Sequence, residues 1–158
     1  MLFGGTMDAK DRALLVLLQQ DATQAYAALG EAVGLSAGAV HERVRKLRER
    51  GVIRRTMVDV DPVAAGRGVL AFVLVRADAW MGGSAVREAL AAEPAIEEAH
   101  VIAGAAALLV KVRTSSTAAL QEVLRQIYEV PGVSSTEAIV VLETFFERSV
   151  DPQEVHDA

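Results

Sequence analysis

The sequence predicts an α+β protein in two parts: an N-terminal helix-turn-helix head of winged-helix-like build, then a ferredoxin-like βαββαβ domain. Three observations point there. Apolar residues recur at helical spacing through the first third of the chain and at strand spacing from Val69 onward. Turn-forming residues separate these stretches, at Gly34, Gly51, Asp61-Pro62, Gly82-Gly83, Gly104 and Pro131-Gly132. Charge is divided too: residues 1–55 hold nine Lys/Arg against six Asp/Glu, and the remainder seven against fifteen, within a net charge of −5. The expected boundaries are a head over 1–55, a connector over 56–68, a sheet domain over 69–147 and a tail over 148–158.

In the head, Asp8-Ala9-Lys10-Asp11 has the form of a capping box and starts a helix. That helix carries the apolar block Ala13 to Leu18 and ends near Gln20. A second helix, from about Ala25 to Val33, pairs Leu29 with Val33 and ends at Gly34, where a left-handed backbone costs glycine nothing. Ser36 is the N-cap of a third, which runs to Arg50 and stops at Gly51. Val40, Val44 and Leu47 form one narrow apolar stripe on it, and Gly38, His41, Glu42, Arg45, Lys46 and Glu49 occupy the opposite face.

A thinly anchored helix after a glycine turn, basic on its outer face, is the form that fits a major groove. From Val40 to Arg55 there are seven basic residues and two acidic ones, so double-stranded DNA is the expected partner despite the acidic total. The candidate DNA-contacting residues are Ser36, Gly38, His41, Glu42, Arg45, Lys46, Arg54 and Arg55. His41 and Arg45 are placed for base edges, and Lys46, Arg54 and Arg55 for phosphates. Arg43 sits nearer the apolar stripe, where it can pair with an acid inside the head.

Met57 to Val60 reads as an extended connector, broken by Asp61-Pro62. The sheet domain comes next, as a strand over Val69 to Ala77, a helix ending near Glu93-Pro94, and strands over Glu97 to Ala103 and Leu108 to Thr114. A helix over Ser116 to Glu129 and a strand over Val133 to Glu143 complete it. The first strand is apolar on both faces, and two helices bury only one face of a four-stranded sheet. A homodimer built through the other face is therefore expected, which would also pair two heads for a palindromic site.

Nothing in the chain has the pattern of catalysis, and neither a cofactor nor a metal is expected. There is no cysteine, and His41, His100 and His156 fall in separate segments without ligand spacing. No apolar run approaches the roughly 18 residues that cross a bilayer, and Met1 to Thr6 lack a signal peptide's basic start, so a cytoplasmic location is expected. Trp80, before Gly82-Gly83, either packs under the connector or faces a partner.

Several of these segments together resemble the Lrp/AsnC family of leucine-responsive and asparagine-operon regulators. They are Val33-Gly34-Leu35-Ser36 with Glu42-Arg43-Val44-Arg45-Lys46-Leu47 and Gly51-Val52-Ile53 in the head, then His100-Val101-Ile102-Ala103-Gly104 and Pro131-Gly132-Val133 before Thr136. The resemblance implies a DNA-binding transcriptional regulator, with dimers that assemble further, often into octamers. It implies a small-molecule effector, an amino acid or related metabolite, held between dimers. Carried onto this chain, the effector site would comprise Val101, Ala103, Gly104, Ala105, Ala107, Leu108, Thr136 and Ala138. One departure stands out: where the family places two acidic residues after the glycine and a further threonine on the last strand, this chain has Ala105, Ala107 and Ala138. Methyl groups in place of the partners for a zwitterion's charged ends point to an effector less polar than usual. Two other classes share much of this pattern, an architectural protein that wraps DNA without effector control and a metabolite-binding module acting on a protein partner.

Overall fold

The computed structural model describes residues 7–153; His156 and Met1 to Thr6 lie outside them. Two compact units emerge, one formed by the chain up to Val58 with the segment from Phe146, the other by Asp59–Phe145.

The first unit contains α1 (Ala9–Gln20), α2 (Tyr26–Val33) and α3 (Ala37–Glu49). The Asp8–Asp11 capping box is closed in both directions, with the Asp11 amide donating to Asp8 Oδ1 at 2.8 Å and the Asp8 amide to Asp11 Oδ2 at 3.4 Å. Ser36 caps α3 by accepting from the Ala39 amide at 3.2 Å. Leu14, Leu29, Val33, Val40 and Val44 form the core, so the narrow stripe of α3 is what holds it to the other two helices. Each such buried aliphatic side chain contributes on the order of 2 kcal/mol.

The turn between α2 and α3 is set by two glycines. Gly34 ends α2 at φ 66°, in the left-handed region. Gly30 lies so close to the turn that its carbonyl accepts the Leu35 N–H at 2.8 Å, and a Cβ on it would stand 2.4 Å from the Leu35 carbonyl oxygen. The C-terminal segment, expected as a tail, returns to α1: Gln19 Nε2 donates to the Val150 carbonyl at 2.9 Å and Arg12 Nη1 to that of Pro152 at 3.0 Å. No local sequence signal announces that return.

The second unit is an antiparallel sheet in the order β2-β3-β1-β4, built from β1 (Val69–Ala77), β2 (Ile96–Val101), β3 (Leu108–Thr114) and β4 (Val133–Val140). The helices α4 (Ser84–Ala91) and α5 (Thr117–Tyr128) complete the βαββαβ succession. Ser116 caps α5 by accepting from the Ala119 amide at 3.1 Å. β2 and β4 stop short of the predicted Ala103 and Glu143. The Ile102 amide donates to the Ala107 carbonyl at 3.0 Å and closes a turn, and β1 begins only at Val69, which leaves Leu142 and Glu143 no strand to pair with.

Alternation along β1 decides the layers. Ala71, Val73 and Val75 are buried with Val110 and Val112 of β3 beneath Leu90 of α4 and Leu120, Val123 and Ile127 of α5. Leu70, Phe72 and Leu74 alternate to the face the helices leave open, in register with Leu109 and Lys111 of β3 and with Glu137 and Ile139 of β4. Ile139 is 50% exposed there.

Gly30→Ala is expected to lower stability by about 1–3 kcal/mol through overpacking against the turn. Gly38→Ala, where a Cβ meets nothing within 4 Å, is expected to be neutral or stabilising by roughly 0.5–1 kcal/mol. Urea denaturation followed by helical circular dichroism checks both.

Candidate DNA interface and effector site

The outer face of α3 presents side chains whose reach is limited by their own neighbours. His41 meets Tyr26 edge to face, with ring centroids 5.7 Å apart and planes at 61°. Arg45 donates from Nη2 and Nε to Glu42 at 2.6 and 2.9 Å, and is paired with Glu49 as well. Lys46 stands 3.5 Å from the same Glu42. Hydrogen bonds from Arg45 hold the Glu42 carboxyl well down, to about 2, and the two glutamates raise Arg45 in turn. The basic face is thus partly neutralised within the helix. Sequence reading placed Arg45 outward but missed these pairs, although their i,i+3 and i,i+4 spacing carries the signal.

Ser36 is engaged in its cap, Gly38 is open to solvent, and Arg54 and Arg55 are exposed just beyond α3. Arg43 takes the inward role expected of it, with Nη1 2.6 Å from Asp8 and 2.8 Å from Asp11. It ties α3 to the N-terminal cap of α1. The Asp11 backbone N–H and then Arg43 hold the Asp8 carboxyl below its ordinary value.

The second site is a cavity of about 420 Å³ where β1 ends and the β2–β3 turn begins. Gly104 sits in that turn at φ 150°, and the Ala107 amide donates to the Val75 carbonyl at 2.8 Å, which fastens the turn to β1. Of the predicted effector residues, Val101, Gly104, Ala105 and Ala107 line it. Ala103 is exposed in the turn, Leu108 is buried in the sheet core, and Thr136 and Ala138 stand in β4 opposite Val75 and Val73; none of these four lines the cavity. Arg76, Asp78 and Trp80 do line it, and sequence reading missed them as a group. Charges closing an otherwise apolar strand next to the chain's one tryptophan were the available signal. Trp80 is 79% exposed, and its indole lies across Gly82, where a Cβ would come within 2.5 Å of the ring. His100 lies apart from this cavity, paired with Glu98 at 3.1 Å on β2.

A helix-turn-helix head joined to a ferredoxin-like sheet domain is the architecture of a DNA-binding transcriptional regulator, and likeness to known proteins narrows it. Residues 7–48 match the AsnC-type helix-turn-helix domain, and residues 70–151 match the Lrp/AsnC ligand binding domain. The chain is 36% identical over 146 residues to the HTH-type transcriptional regulator FL11 of Pyrococcus horikoshii, spanning 92% of this chain and 96% of that protein. It is 33% identical to the regulatory protein AsnC of Escherichia coli, over 92% and 97% of the two chains. The solved structure of Escherichia coli AsnC superposes with a TM-score of 0.86 at 30% identity, covering 94% of this chain and all of that one. The chain belongs to the Lrp/AsnC family of transcriptional regulators. Its members are regulators rather than enzymes, and no described helix here is long and apolar enough to cross a membrane.

Arg43→Ala is expected to destabilise the protein by about 0.5–1 kcal/mol at neutral pH, since the pair is partly exposed. Asp8 has a depressed carboxyl, so its contribution is present above the ordinary carboxylate range and is lost as pH falls through it. The gap between wild type and variant should therefore close as thermal melts are taken from pH 7 towards pH 2.

Proposed function

We propose that α3 reads the major groove of double-stranded DNA with His41 and Arg45 at base edges and Lys46, Arg54 and Arg55 at phosphates. We further propose that a small metabolite bound beside the Gly104 turn, between dimers, modulates that grip. The observation that carries the reading is the construction of α3: three buried aliphatic residues anchor one side and leave a projecting face of cationic side chains. Ser36, Gly38 and Glu42, on the same exposed side, are placed to let the helix approach the groove closely.

The homodimer forms through the open face of the sheet. Phe72, Leu74 and Ile139 lie together there with no helix above them, and that apolar surface favours a second copy. Assembly towards an octamer accords with the family resemblance and places the effector cavity, with Val101, Ala103, Gly104, Ala105 and Ala107 around its turn, at a seam between dimers. Leu108, Thr136 and Ala138 support that site from the strands beside it.

Arg45→Ala should reduce discrimination between specific and random DNA by about 1–3 kcal/mol, whereas Lys46→Ala should weaken all sequences alike and lower the salt slope by roughly 1. Glu49→Gln should raise affinity for random DNA, because it releases Arg45 from one of its two carboxylates. Fluorescence anisotropy across a salt series reads all three, and unchanged specificity in Arg45→Ala would refute the groove assignment. Phe72→Asp should shift the full-length chain towards monomer in sedimentation velocity while its circular dichroism stays native; an unaltered oligomer places the interface elsewhere.

A further inference from the structure

The two side chains assigned to base edges, His41 and Arg45, are held in different ways. Arg45 lies against Glu42 and Glu49 of its own helix, so on reaching DNA it exchanges one set of partners for another. His41 has an exposed ring, and neither of its nitrogens meets a hydrogen-bond or ion-pair partner among the described residues. What holds it is Tyr26, the first residue of α2, edge to face with centroids 5.7 Å apart. Such a contact fixes the plane of the imidazole and leaves both nitrogens free for hydrogen bonds to a base.

Tyr26 is itself fixed from behind. Its half-buried side chain packs against the cluster of Leu14, Leu29, Val33, Val40 and Val44. Ala25 offers α2 no side-chain cap, so packing rather than capping secures the start of that helix. A continuous line of contact therefore runs from the head's core through Tyr26 to His41. A side chain set in one orientation before binding avoids the loss of rotamer freedom that a free one suffers on contact. We infer that Tyr26 is a positioning residue for base reading: it aims the His41 imidazole at the groove, so α2 contributes to sequence choice without touching a base. This role rests on the proposed assignment of His41 to base edges. Two helices then share the selection of sequence, with Arg45 set from within α3 and His41 set from α2.

The test uses the full-length protein, a duplex that the wild type selects from a random pool, and random duplex of the same length. The readout is the ratio of the two affinities, which partial unfolding does not move because it weakens both alike. His41→Ala should lower that ratio about tenfold. Tyr26→Leu, which keeps an apolar side chain against the core, should lower it about threefold to tenfold. Tyr26→Phe, which keeps the ring, should retain the wild-type ratio. Adding Tyr26→Leu to His41→Ala should bring no further loss, since Tyr26 acts through the imidazole. An unchanged ratio in Tyr26→Leu, losses that add in the double variant, or a Tyr26→Phe as impaired as Tyr26→Leu overturns the role of Tyr26 while His41 keeps its base contact. An unchanged ratio in His41→Ala overturns the base-edge assignment of His41 and the role of Tyr26 with it, whereas Arg45→Ala tests the groove assignment separately. Nuclear Overhauser contacts between the two rings give a second measurement that needs no variant. They should be present in the free wild type and persist on the selected duplex, and their absence from either state overturns the proposal.

Discussion

β1 is the central constraint on the sheet domain. It hydrogen-bonds to β3 on one side and β4 on the other, and its side chains are apolar on both faces. The helices α4 and α5 take the face that carries Ala71, Val73 and Val75. These are the smaller side chains, which let Leu120, Val123 and Ile127 approach closely. Phe72 and Leu74 are left on the other side, bounded by Lys111 and Glu137 in the same register. That face is apolar in its middle and charged at its margins, and the proposed homodimer rests on it.

The same strand positions the cavity. Ala77 ends β1 at a shift of register with β4, and the next residues carry Asp78 and Trp80 out beside the Gly104 turn. The turn is tied back to β1 through Ala107 and Val75, so core packing and cavity geometry share one element.

The head obeys a different logic. Its core is small, and the Arg43 bridge to Asp8 and Asp11 supplements apolar contact between α3 and α1. On the outer side, Arg45 and Lys46 are shared with Glu42 and Glu49. Such pairing lowers the electrostatic attraction to any polyanion, so specific contacts must compete against it. An acidic protein that carries a moderated basic helix is suited to favouring some DNA sequences over bulk binding.

The order and type of the elements were legible in the sequence because their signals are local. Caps at Asp8, Ser36 and Ser116, the left-handed glycine at Gly34, and the apolar periods between them each act within a few residues. The anchoring stripe of α3 and the inward turn of Arg43 were legible for the same reason, since helical spacing alone sets which face each residue takes. The end points of β2 and β4 were not, because a strand lasts only as long as its neighbour offers partners. Nor did spacing disclose which face of β1 the helices cover, the return of Val150 and Pro152 to α1, or the meeting of Arg76, Asp78 and Trp80 with the Gly104 turn. Each of those is a contact between residues far apart in the chain, and packing and hydrogen bonding through space decide them only once the fold is formed.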